Sequence, residues 1–420
     1  MELVASPKVL RLLSILVLLS SLPCYSSAAH SAAEEEFNTA FIQCLINTSH
    51  SITQSIFTPN NASFPSVLQS YIRNLRFNAS TTKKPLLIIT ALDVSHVQAS
   101  ILCAQEHNMM MKIRSGGHEY EGVSYVTHNH APFFILDMFN LRSIDIDIET
   151  ETAWVQAGAT LGELYYNIAN KSKIHGFPAG VGPNVGVGGH ISGRLLDKES
   201  MGEDLFWAIR GGGGGSFGVV LAYKIKLVRV PETVTVLKVP RILEENATDI
   251  VHKWQYVAPN TDPNLFIRLI LEVVNGAENL NKTIRATFIA MFLGDSKSLV
   301  SLMDETFPQL GLRERDCIET TWLKSVMFWD YIDISTNPVE ILLERTPPYT
   351  LRHLKRKSDY VRKPISKAGL VGIWKKMIEL ETGAMYFNPY GGRMAEIPSD
   401  ATPMPHSAGN LWKIQYHANW

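Results

Sequence analysis

The stretch Arg114–Tyr125, RSGGHEYEGVSY, places two glycines and a histidine directly after a short predicted strand at Met111–Ile113. Glycines at a strand end expose backbone N–H groups, which can hold phosphates or the polar edge of a flat ring. The neutral imidazole of His118 can act as a nucleophile toward an electrophilic cofactor carbon. The alternative is an ordinary surface or capping histidine, and these residues alone do not name the cofactor.

Two further glycine-rich segments follow, at Gly180–His190 and Gly211–Gly215. The first lacks the following amphipathic helix and the acidic residue of a dinucleotide fingerprint, which argues against a Rossmann fold. The five consecutive glycines of the second could form a flexible linker. Their apolar flanks instead favour a close approach of the backbone to a ligand or to another backbone segment.

Around these glycine segments, predicted strands alternate with predicted helices, which indicates an α/β or α+β domain. Asp93 is expected to cap a helix in which Val94, Val97, Ile101 and Leu102 recur at helical spacing. Another helix is predicted at Leu161–Ala169. The predicted strands are Pro85–Thr90, Met111–Ile113, Phe133–Met138 and Thr152–Ala157, followed by a long β-rich stretch at Phe217–Val228.

From Thr233 onward, the pattern predicts a second domain with a mostly antiparallel sheet that carries helices. We expect a signal peptide at 1–29, an N-terminal helical part at 30–80, a cofactor-binding domain at 81–231 and a second domain at 232–420. The predicted elements of this second domain are strands at Leu265–Val274 and Thr283–Phe292 and helices at Ala247–Tyr256 and Ser296–Phe307.

The N-terminus indicates secretion to the extracellular space or cell wall. Lys8 and Arg11 precede the apolar run Leu12–Leu19 and the small residues Ser26–Ala29, as in a signal peptide, although a buried helix is the alternative. No later apolar run is long enough for a membrane anchor. Six glycosylation sequons agree with this compartment: Asn47, Asn61, Asn78, Asn170, Asn246 and Asn281.

Charge and cysteine content narrow the function further. The formal net charge is -1 and no basic stripe is present, which argues against a nucleic-acid partner. Cys24 is expected to leave with the signal peptide, and a disulfide is expected among the other three cysteines. Cys44 and Cys103 are the favoured pair, which leaves Cys317. Without clustered His and Cys residues, we expect no metal site.

Taken together, these motifs resemble the berberine bridge enzyme-like flavoproteins of the vanillyl-alcohol oxidase and p-cresol methylhydroxylase superfamily. The matching segments are 114–125, 177–192, 201–220, 388–397 and 409–420. The resemblance implies an α+β fold with a two-subdomain FAD-binding domain and a substrate domain, a disulfide between Cys44 and Cys103, and a bond from His118 to the flavin 8α-methyl group. The implied cofactor-binding residues are Arg114, Ser115, Gly116, Gly117, His118, Ser124, Gly186, Gly189, His190, Ser192 and Val220.

Three departures from the family pattern change these expectations. Many members carry a second flavin link from a cysteine, and Gly182 stands at that position, so we expect a single covalent link. The strand-turn-helix that follows the Gly-Gly-His motif in the family is absent after Gly193. The chain also ends at Trp420, before a C-terminal segment that the family has. We therefore expect poor FAD retention and low activity.

By motif position, the resemblance implies that three residues face the substrate: Tyr120, Asn388 and Gln415. An amide cannot act as the carboxylate base of alkaloid-oxidising members, so Gln415 favours oxidation of a monolignol-type allylic alcohol or a sugar. A small residue at Val185 suggests that O2 reaches the flavin. We expect a monomeric FAD-dependent oxidoreductase; the alternatives are a non-catalytic secreted flavin- or ligand-binding glycoprotein and a carbohydrate-binding glycoprotein.

Overall fold

The computed structural model describes residues 36, 38–127, 131–191, 202–213, 215–276, 281–346, 350–381 and 383–420. The expected signal peptide and Ser192 lie outside these residues. The described strands are β1 (Ile56–Phe57), β2 (Ile88–Thr90), β3 (Met110–Arg114), β4 (Phe133–Asp137), β5 (Ile144–Asp147), β6 (Thr152–Gln156), β7 (His175–Gly176), β8 (Ala222–Lys226), β9 (Val228–Arg229), β10 (Val234–Ile242), β11 (Leu265–Asn275), β12 (Lys282–Phe292), β13 (Cys317–Thr320), β14 (Leu354–Val361), β15 (Ala384–Pro389) and β16 (Trp412–Asn419).

The described α-helices are α1 (38–48), α2 (Phe64–Gln69), α3 (Val94–Glu106), α4 (Leu161–Lys171), α5 (Val187–Ile191), α6 (Glu203–Ile209), α7 (Ala247–Val257), α8 (Ser296–Thr306), α9 (Trp322–Trp329) and α10 (Lys367–Leu380). Short 3-10 helices connect several of them, among them Leu75–Phe77 and Val339–Leu343. No helix among the described residues has the length and apolarity needed to cross a bilayer.

A four-stranded sheet in the order β1-β2-β4-β3 carries the first glycine turn. Strands β2, β4 and β3 are parallel to one another, and β1 adds antiparallel to β2. Every residue of β4 is buried, as expected for a strand covered on both faces. Because β3 ends at Arg114, the chain enters the turn Ser115–Gly117 at the carboxyl edge of this sheet.

Helix α3 begins where the sequence predicts. The Asp93 side chain accepts hydrogen bonds from the backbone N–H groups of Ser95 and His96, which confirms the cap. The four apolar residues that recur at helical spacing differ in burial, because Val97 is buried whereas Leu102 is 56% exposed. Val94 and Ile101 are exposed as well. The helix expected from the spacing is therefore present, and of these four apolar residues Val97 is the buried one.

A second, antiparallel sheet has the order β5-β6-β8, and β7 pairs with β9. Helix α4 follows β6 and starts with a capping box between Thr160 and Glu163. The predicted β-rich stretch at Phe217–Val228 is shorter than expected, because the regular strand covers only Ala222–Lys226. Gly218 has a φ of +144°, which a regular strand does not accommodate.

The chain from Val234 onward forms a seven-stranded antiparallel sheet in the order β13-β10-β12-β11-β15-β16-β14. This confirms the predicted antiparallel sheet with helices. Trp254 of α7 and Trp374 of α10 pack on one face, against Phe288 and Phe387 of the sheet. Since side chains alternate along strands, the opposite face carries the residues between these core positions.

Covalent linkage follows the expectation from the resemblance. Cys44 and Cys103 form a disulfide that joins α1 to α3. Cys317 is the free cysteine of the described residues and lies on β13, an edge strand of the large sheet. Burial raises the pKa of the Cys317 thiol to about 11, which makes it unreactive at neutral pH.

Candidate active site

A cavity of about 330 Å³ lies between the turn that follows β3, the segment that leads into α5, and the residues that follow the glycine run. Its walls bring together most of the cofactor residues expected from the sequence. These are Ser115, Gly116, Gly117, His118, Ser124, Gly186, Gly189, His190 and Val220. Gly215 and Gly218 also line it, so the glycine run reaches the same cavity.

Glycines at two wall positions allow the backbone segments to pack directly on each other. A Cβ placed on Gly116 would lie 2.3 Å from the backbone nitrogen of Gly186. A Cβ on Gly186 would lie 2.1 Å from the Ser115 Oγ. Neither distance is compatible with a side chain, so these glycines are required by close packing of the two turns. Gly189 differs, because a Cβ there would meet no atom of the described part of the chain within 4 Å.

His118 is held as a neutral imidazole in the cavity wall. Burial, with a further contribution from the charge of Arg73, lowers its pKa to about 3. A hydrogen bond with the backbone of Asn184 acts in the opposite direction but does not compensate. The Nε2 atom is buried and has no hydrogen-bond partner among the described residues. The ring is therefore available as an uncharged nucleophile.

Glu119 is a cavity residue that the sequence reasoning missed. Its Oε1 accepts a hydrogen bond from the backbone N–H of Ser124 at 2.7 Å and another from the Ser124 hydroxyl. These two hydrogen bonds hold together the ends of the loop at residues 119–124, which follows His118. Its position inside the RSGGHEYEGVSY stretch was the signal that could have identified it.

Arg114 does not line the cavity. Its side chain is fully buried and donates from Nε and Nη2 to Asp137 Oδ2, at 2.9 and 2.6 Å. Nη1 and Nη2 also donate to the backbone carbonyl oxygens of Leu68 and Val67, each at 2.9 Å. The side chain thus connects α2 to the sheet below the glycine turn.

The second group of predicted residues lies on the large sheet, on the face opposite its helices. Gln415 pairs with Tyr386 across β15 and β16, and Asn388 lies two residues farther along β15 on the same face. The Gln415 Oε1 accepts a hydrogen bond from His417 Nε2 at 2.7 Å. We call this surface, made of Arg268, Tyr386, Asn388, Gln415 and His417, the polar face.

Tyr120 lies beside the polar face rather than within the cavity wall. Its ring is 6.0 Å from the guanidinium of Arg356, which pairs with His417 across β14 and β16. Its backbone carbonyl accepts a hydrogen bond from Asn74 at 2.9 Å. The structure thus places Tyr120 and Gln415 on neighbouring parts of one surface.

A smaller cavity of about 230 Å³ adjoins the polar face. Phe266, Trp322 and Trp329 give it aromatic walls, and Arg268 contributes a guanidinium group. Arg268 donates from Nε to Asn388 Oδ1 at 2.6 Å and lies 5.0 Å from the Trp329 ring. Such a cavity suits a ligand with an apolar ring and oxygen substituents.

Asp330, directly after α9, is a second residue that the sequence reasoning missed. Its Oδ1 lies 3.9 Å from the position that a Cβ would take on Gly182. Burial raises its pKa to about 7. Tyr331, the next residue, has a φ of +61°, an uncommon conformation for a residue other than glycine. A carboxylate after an apolar helix is too common a pattern to have identified this position.

Comparison with known proteins agrees with this geometry. Residues 85–200 match the family model of an FAD binding domain. The berberine bridge enzyme-like 8 protein of Arabidopsis thaliana is 54% identical, over an alignment that covers 97% of this chain and 81% of the relative. The chain belongs to the berberine bridge enzyme-like family.

Other relatives agree with this assignment. Berberine bridge enzyme-like 2 of Arabidopsis thaliana is 48% identical and covers 97% of this chain and 80% of its own. The solved structure of BBE-like 28 from the same plant is 40% identical, with a TM-score of 0.82 over 90% of this chain and 80% of that chain. A variant of Phl p 4, described as a glucose oxidase, is 38% identical with a TM-score of 0.82, over 91% and 81%.

Membership of the berberine bridge enzyme-like family establishes the fold and the general chemistry. The fold is the α+β, p-cresol methylhydroxylase-type FAD-binding fold, and the protein is an FAD-dependent oxidoreductase. The FAD-binding match at 85–200 includes His118 and Gly186, whereas Val220 lies beyond it. The alignment with berberine bridge enzyme-like 8 spans 436 positions, so that relative has residues with no counterpart among the 420 of this chain.

Proposed function

We propose that this chain is a secreted, monomeric oxidoreductase that holds FAD through one covalent bond from His118 and oxidises an alcohol with O2 as the acceptor. The observation that carries the proposal is His118 itself, a neutral ring with an unpartnered, buried Nε2 in a glycine-lined cavity. A protonated imidazole could not attack the flavin methyl carbon, so burial favours the bond. Bound FAD supplies the hydride acceptor.

The single link is supported by Gly182. Many members of the family carry a cysteine at this position, whereas glycine has no side chain that can bond to the cofactor. A Cβ on Gly182 would lie 3.3 Å from Val185 Cγ2 and 3.7 Å from Asn184 Oδ1. The neighbouring residues therefore already fill part of the space that a second linking side chain would need.

The polar face supports an alcohol rather than an alkaloid amine as the substrate. Gln415 has no ionisable group, and its carbonyl oxygen is occupied by His417, which leaves its amide nitrogen to donate to a substrate oxygen. Burial lowers the pKa of His417 to about 3, with Arg356 and Arg268 adding to the effect, so that ring is neutral. Two classes of alcohol are then the candidates. Similar proteins described as glucose oxidase and glucose dehydrogenase support a carbohydrate substrate. The aromatic walls of the smaller cavity favour an allylic alcohol of the monolignol type.

The use of O2 is supported by Val185, which lines the larger cavity. The family resemblance places oxygen access at this position. Wild-type Phl p 4 is described as a glucose dehydrogenase, whereas a variant with valine in place of one isoleucine is described as a glucose oxidase. A valine in this chain agrees with the oxidase form.

Secretion is supported by the disulfide and by the sequons. The disulfide between Cys44 and Cys103 suits an oxidising compartment. Among the acceptor residues, Asn78 is half-buried and the other five are exposed: Asn47, Asn61, Asn170, Asn246 and Asn281.

The test is secretion from a eukaryotic host, followed by assay of the purified glycoprotein with allylic alcohols and sugars. Release of hydrogen peroxide with one of these substrates is the expected result. Turnover with a dye acceptor but without release of peroxide would contradict O2 as the acceptor and would leave the proposed alcohol oxidation standing. Secretion into the medium and the mass before and after deglycosylation test the compartment.

A second candidate function is a non-catalytic flavin-binding glycoprotein. It is favoured by the alignment with berberine bridge enzyme-like 8, which includes positions that this chain lacks. We infer that these include the segment expected after Gly193, and that their loss lowers FAD retention. A yellow protein without turnover of any tested alcohol or sugar would favour this second function.

A further inference from the structure

Asp330 approaches the loop at residues 182–186, which we call the flavin-side loop because Val185 and Gly186 line the larger cavity. On one side, its Oδ1 is 3.9 Å from the Cβ position of Gly182, in the loop whose Asn184 backbone contacts His118. On the other side, its neighbours in the chain contact the polar face. Trp329 lies under the Arg268 guanidinium, and the Tyr331 hydroxyl donates a hydrogen bond to Tyr386.

The turn that carries Asp330 is held in an unfavourable conformation. Tyr331 adopts a positive φ, which costs free energy for a residue with a side chain and persists where the surroundings impose it. The backbone N–H of Asp330 donates to the carbonyl oxygen of Met327 at 3.1 Å, which ends α9. The turn thereby directs Trp329 and Tyr331 to the polar face and the carboxyl group of Asp330 to Gly182.

The carboxyl group of Asp330 has neither a hydrogen-bond donor nor an ion pair among the described residues. Charged groups on the packed elements are directed elsewhere: Lys238 of β10 lies over the Tyr331 ring, and Arg268 of β11 lies over Trp329. Glu340, in the 3-10 helix that packs on α9, accepts from Tyr166 of α4. Burial is the cause of the raised pKa of Asp330.

Oxidation of an alcohol needs a group that accepts the hydroxyl proton, and four side chains on or beside the polar face are unsuited to this. Lys413 is the competing base: it pairs with Asn388 across β15 and β16, and burial, with the charge of Arg268, lowers its pKa. Gln415 does not ionise, and the pKa of His417 is about 3, which makes it a weak base. Burial raises the pKa values of Tyr331 and Tyr386, so both phenols stay protonated at neutral pH. The Asp330 carboxyl group approaches the flavin-side loop at Gly182, and the residues on either side of it in the chain, Trp329 and Tyr331, contact the polar face.

We propose that Asp330 is the proton acceptor for alcohol oxidation in this chain, an inference that rests on the function proposed above. The substrate O–H bond breaks and its proton passes to an Asp330 carboxylate oxygen; the carbinol C–H bond breaks as well, and FAD, when bound, would accept that hydrogen with its electron pair. The carbon and oxygen then form the carbonyl group. O2 takes the two electrons and two protons as hydrogen peroxide, which returns Asp330 to its ionised form.

The test compares three variants of the full-length secreted protein. Asp330→Asn keeps the size of the side chain but cannot accept a proton, and Asp330→Glu restores a carboxylate. Asp304→Asn is the matched control, because Asp304 is exposed on α8, away from both cavities. Covalent flavin content and thermal unfolding establish first that each variant folds and is loaded.

For the wild type we expect kcat/KM to rise with pH to a plateau, with a midpoint near the Asp330 pKa of about 7. Asp330→Asn should lower the plateau about 100-fold or more and remove this limb of the pH profile. Asp330→Glu should recover part of the plateau value and part of the rising limb. Asp304→Asn should match the wild type in kcat/KM and in its pH profile. Turnover of Asp330→Asn within about threefold of the wild type, with the limb retained, would overturn the proposal. Retention of the limb in Asp330→Asn and its loss in Lys413→Gln would assign the role to Lys413.

A second readout does not depend on turnover. The visible absorbance of the bound flavin should change with a midpoint near pH 7 as Asp330 ionises, and Asp330→Asn should abolish this change. If the wild type oxidises no tested substrate, the proposed function fails while this titration still locates Asp330 relative to the flavin. A spectral change that is identical in the wild type and in Asp330→Asn would overturn the placement.

Discussion

Arg114 and Asp137 form a buried ion pair at the ends of two parallel strands, with Nη2 2.6 Å from Oδ2. Both side chains are shielded from solvent, and the guanidinium also donates to the carbonyl oxygens of Val67 and Leu68. The pair therefore joins α2, β3 and β4 directly below the turn that leads to His118. It is a structural support for the FAD-binding region.

Arg114→Met should lower the free energy of unfolding by about 3–5 kcal/mol, because it leaves the Asp137 carboxylate buried without its partner. The matched control is Arg142→Met. Arg142 is 45% exposed in its pair with Glu163, and such a surface pair contributes about 1 kcal/mol or less. Chemical denaturation measures both. Equal losses for the two variants would contradict the structural role of Arg114.

Gly186→Ala and Gly189→Ala should separate folding from cofactor binding. Alanine at 186 would collide with Ser115 Oγ and the backbone nitrogen of Gly116, so we expect a loss of stability of about 2 kcal/mol or more, or no secreted protein. Alanine at 189 meets no atom of the described residues within 4 Å, and Gly189 lines the cavity, so the protein should fold while its flavin content falls. Unfolding curves and flavin-to-protein absorbance ratios measure the two effects. If Gly189→Ala lowered the stability while Gly186→Ala kept the stability of the wild type, the assignment of Gly186 to folding and of Gly189 to cofactor binding would be refuted.

The parts of the site that lie close together in the chain could be predicted from the sequence. A strand followed by Ser115–Gly117 places His118 at the sheet edge, because the end of a parallel strand is a local feature. The direction of the Arg114 side chain could not be predicted, since its partners on α2 and β4 are set by tertiary packing. Asp330 was missed for the same reason: its approach to Gly182 depends on how α9 packs.

The polar face could be predicted only in part. Alternation along a strand places Gln415 and His417 on the same face of β16. That this face lies opposite the helices, beside Tyr120, depends on the order β15-β16-β14 and on the parallel contact between Asn74 and Arg352. Neither of these has a local sequence signal.

Cys103→Ser should lower the free energy of unfolding by about 2–5 kcal/mol, because the Cys44–Cys103 bond restricts the unfolded chain. Cys317→Ser is the control, since Cys317 is free and lies on an edge strand. Denaturation under oxidising conditions gives both values. A loss for Cys317→Ser as large as that for Cys103→Ser would contradict the assignment of Cys317 as an unpaired thiol.

The stability of the protein should depend on the neutral state of His417. Its pKa is about 3 in the folded protein and about 6.5 in the unfolded chain, so the unfolded state binds the proton more readily. This contribution to stability is present above pH 6.5 and is lost as the pH falls toward 3. His417→Gln should therefore lose less stability than the wild type between these pH values. Parallel pH curves for the two proteins would show that His417 is not held neutral.

The most direct test of the account is the flavin content of His118→Ala after denaturation. The wild-type protein, unfolded in acid and passed through a desalting column, should retain visible flavin absorbance and a mass increased by one FAD. His118→Ala should fold, bind any flavin reversibly and lose it under the same treatment. Flavin that stays attached to His118→Ala, or a wild type that releases all its flavin, would contradict a single covalent link through His118.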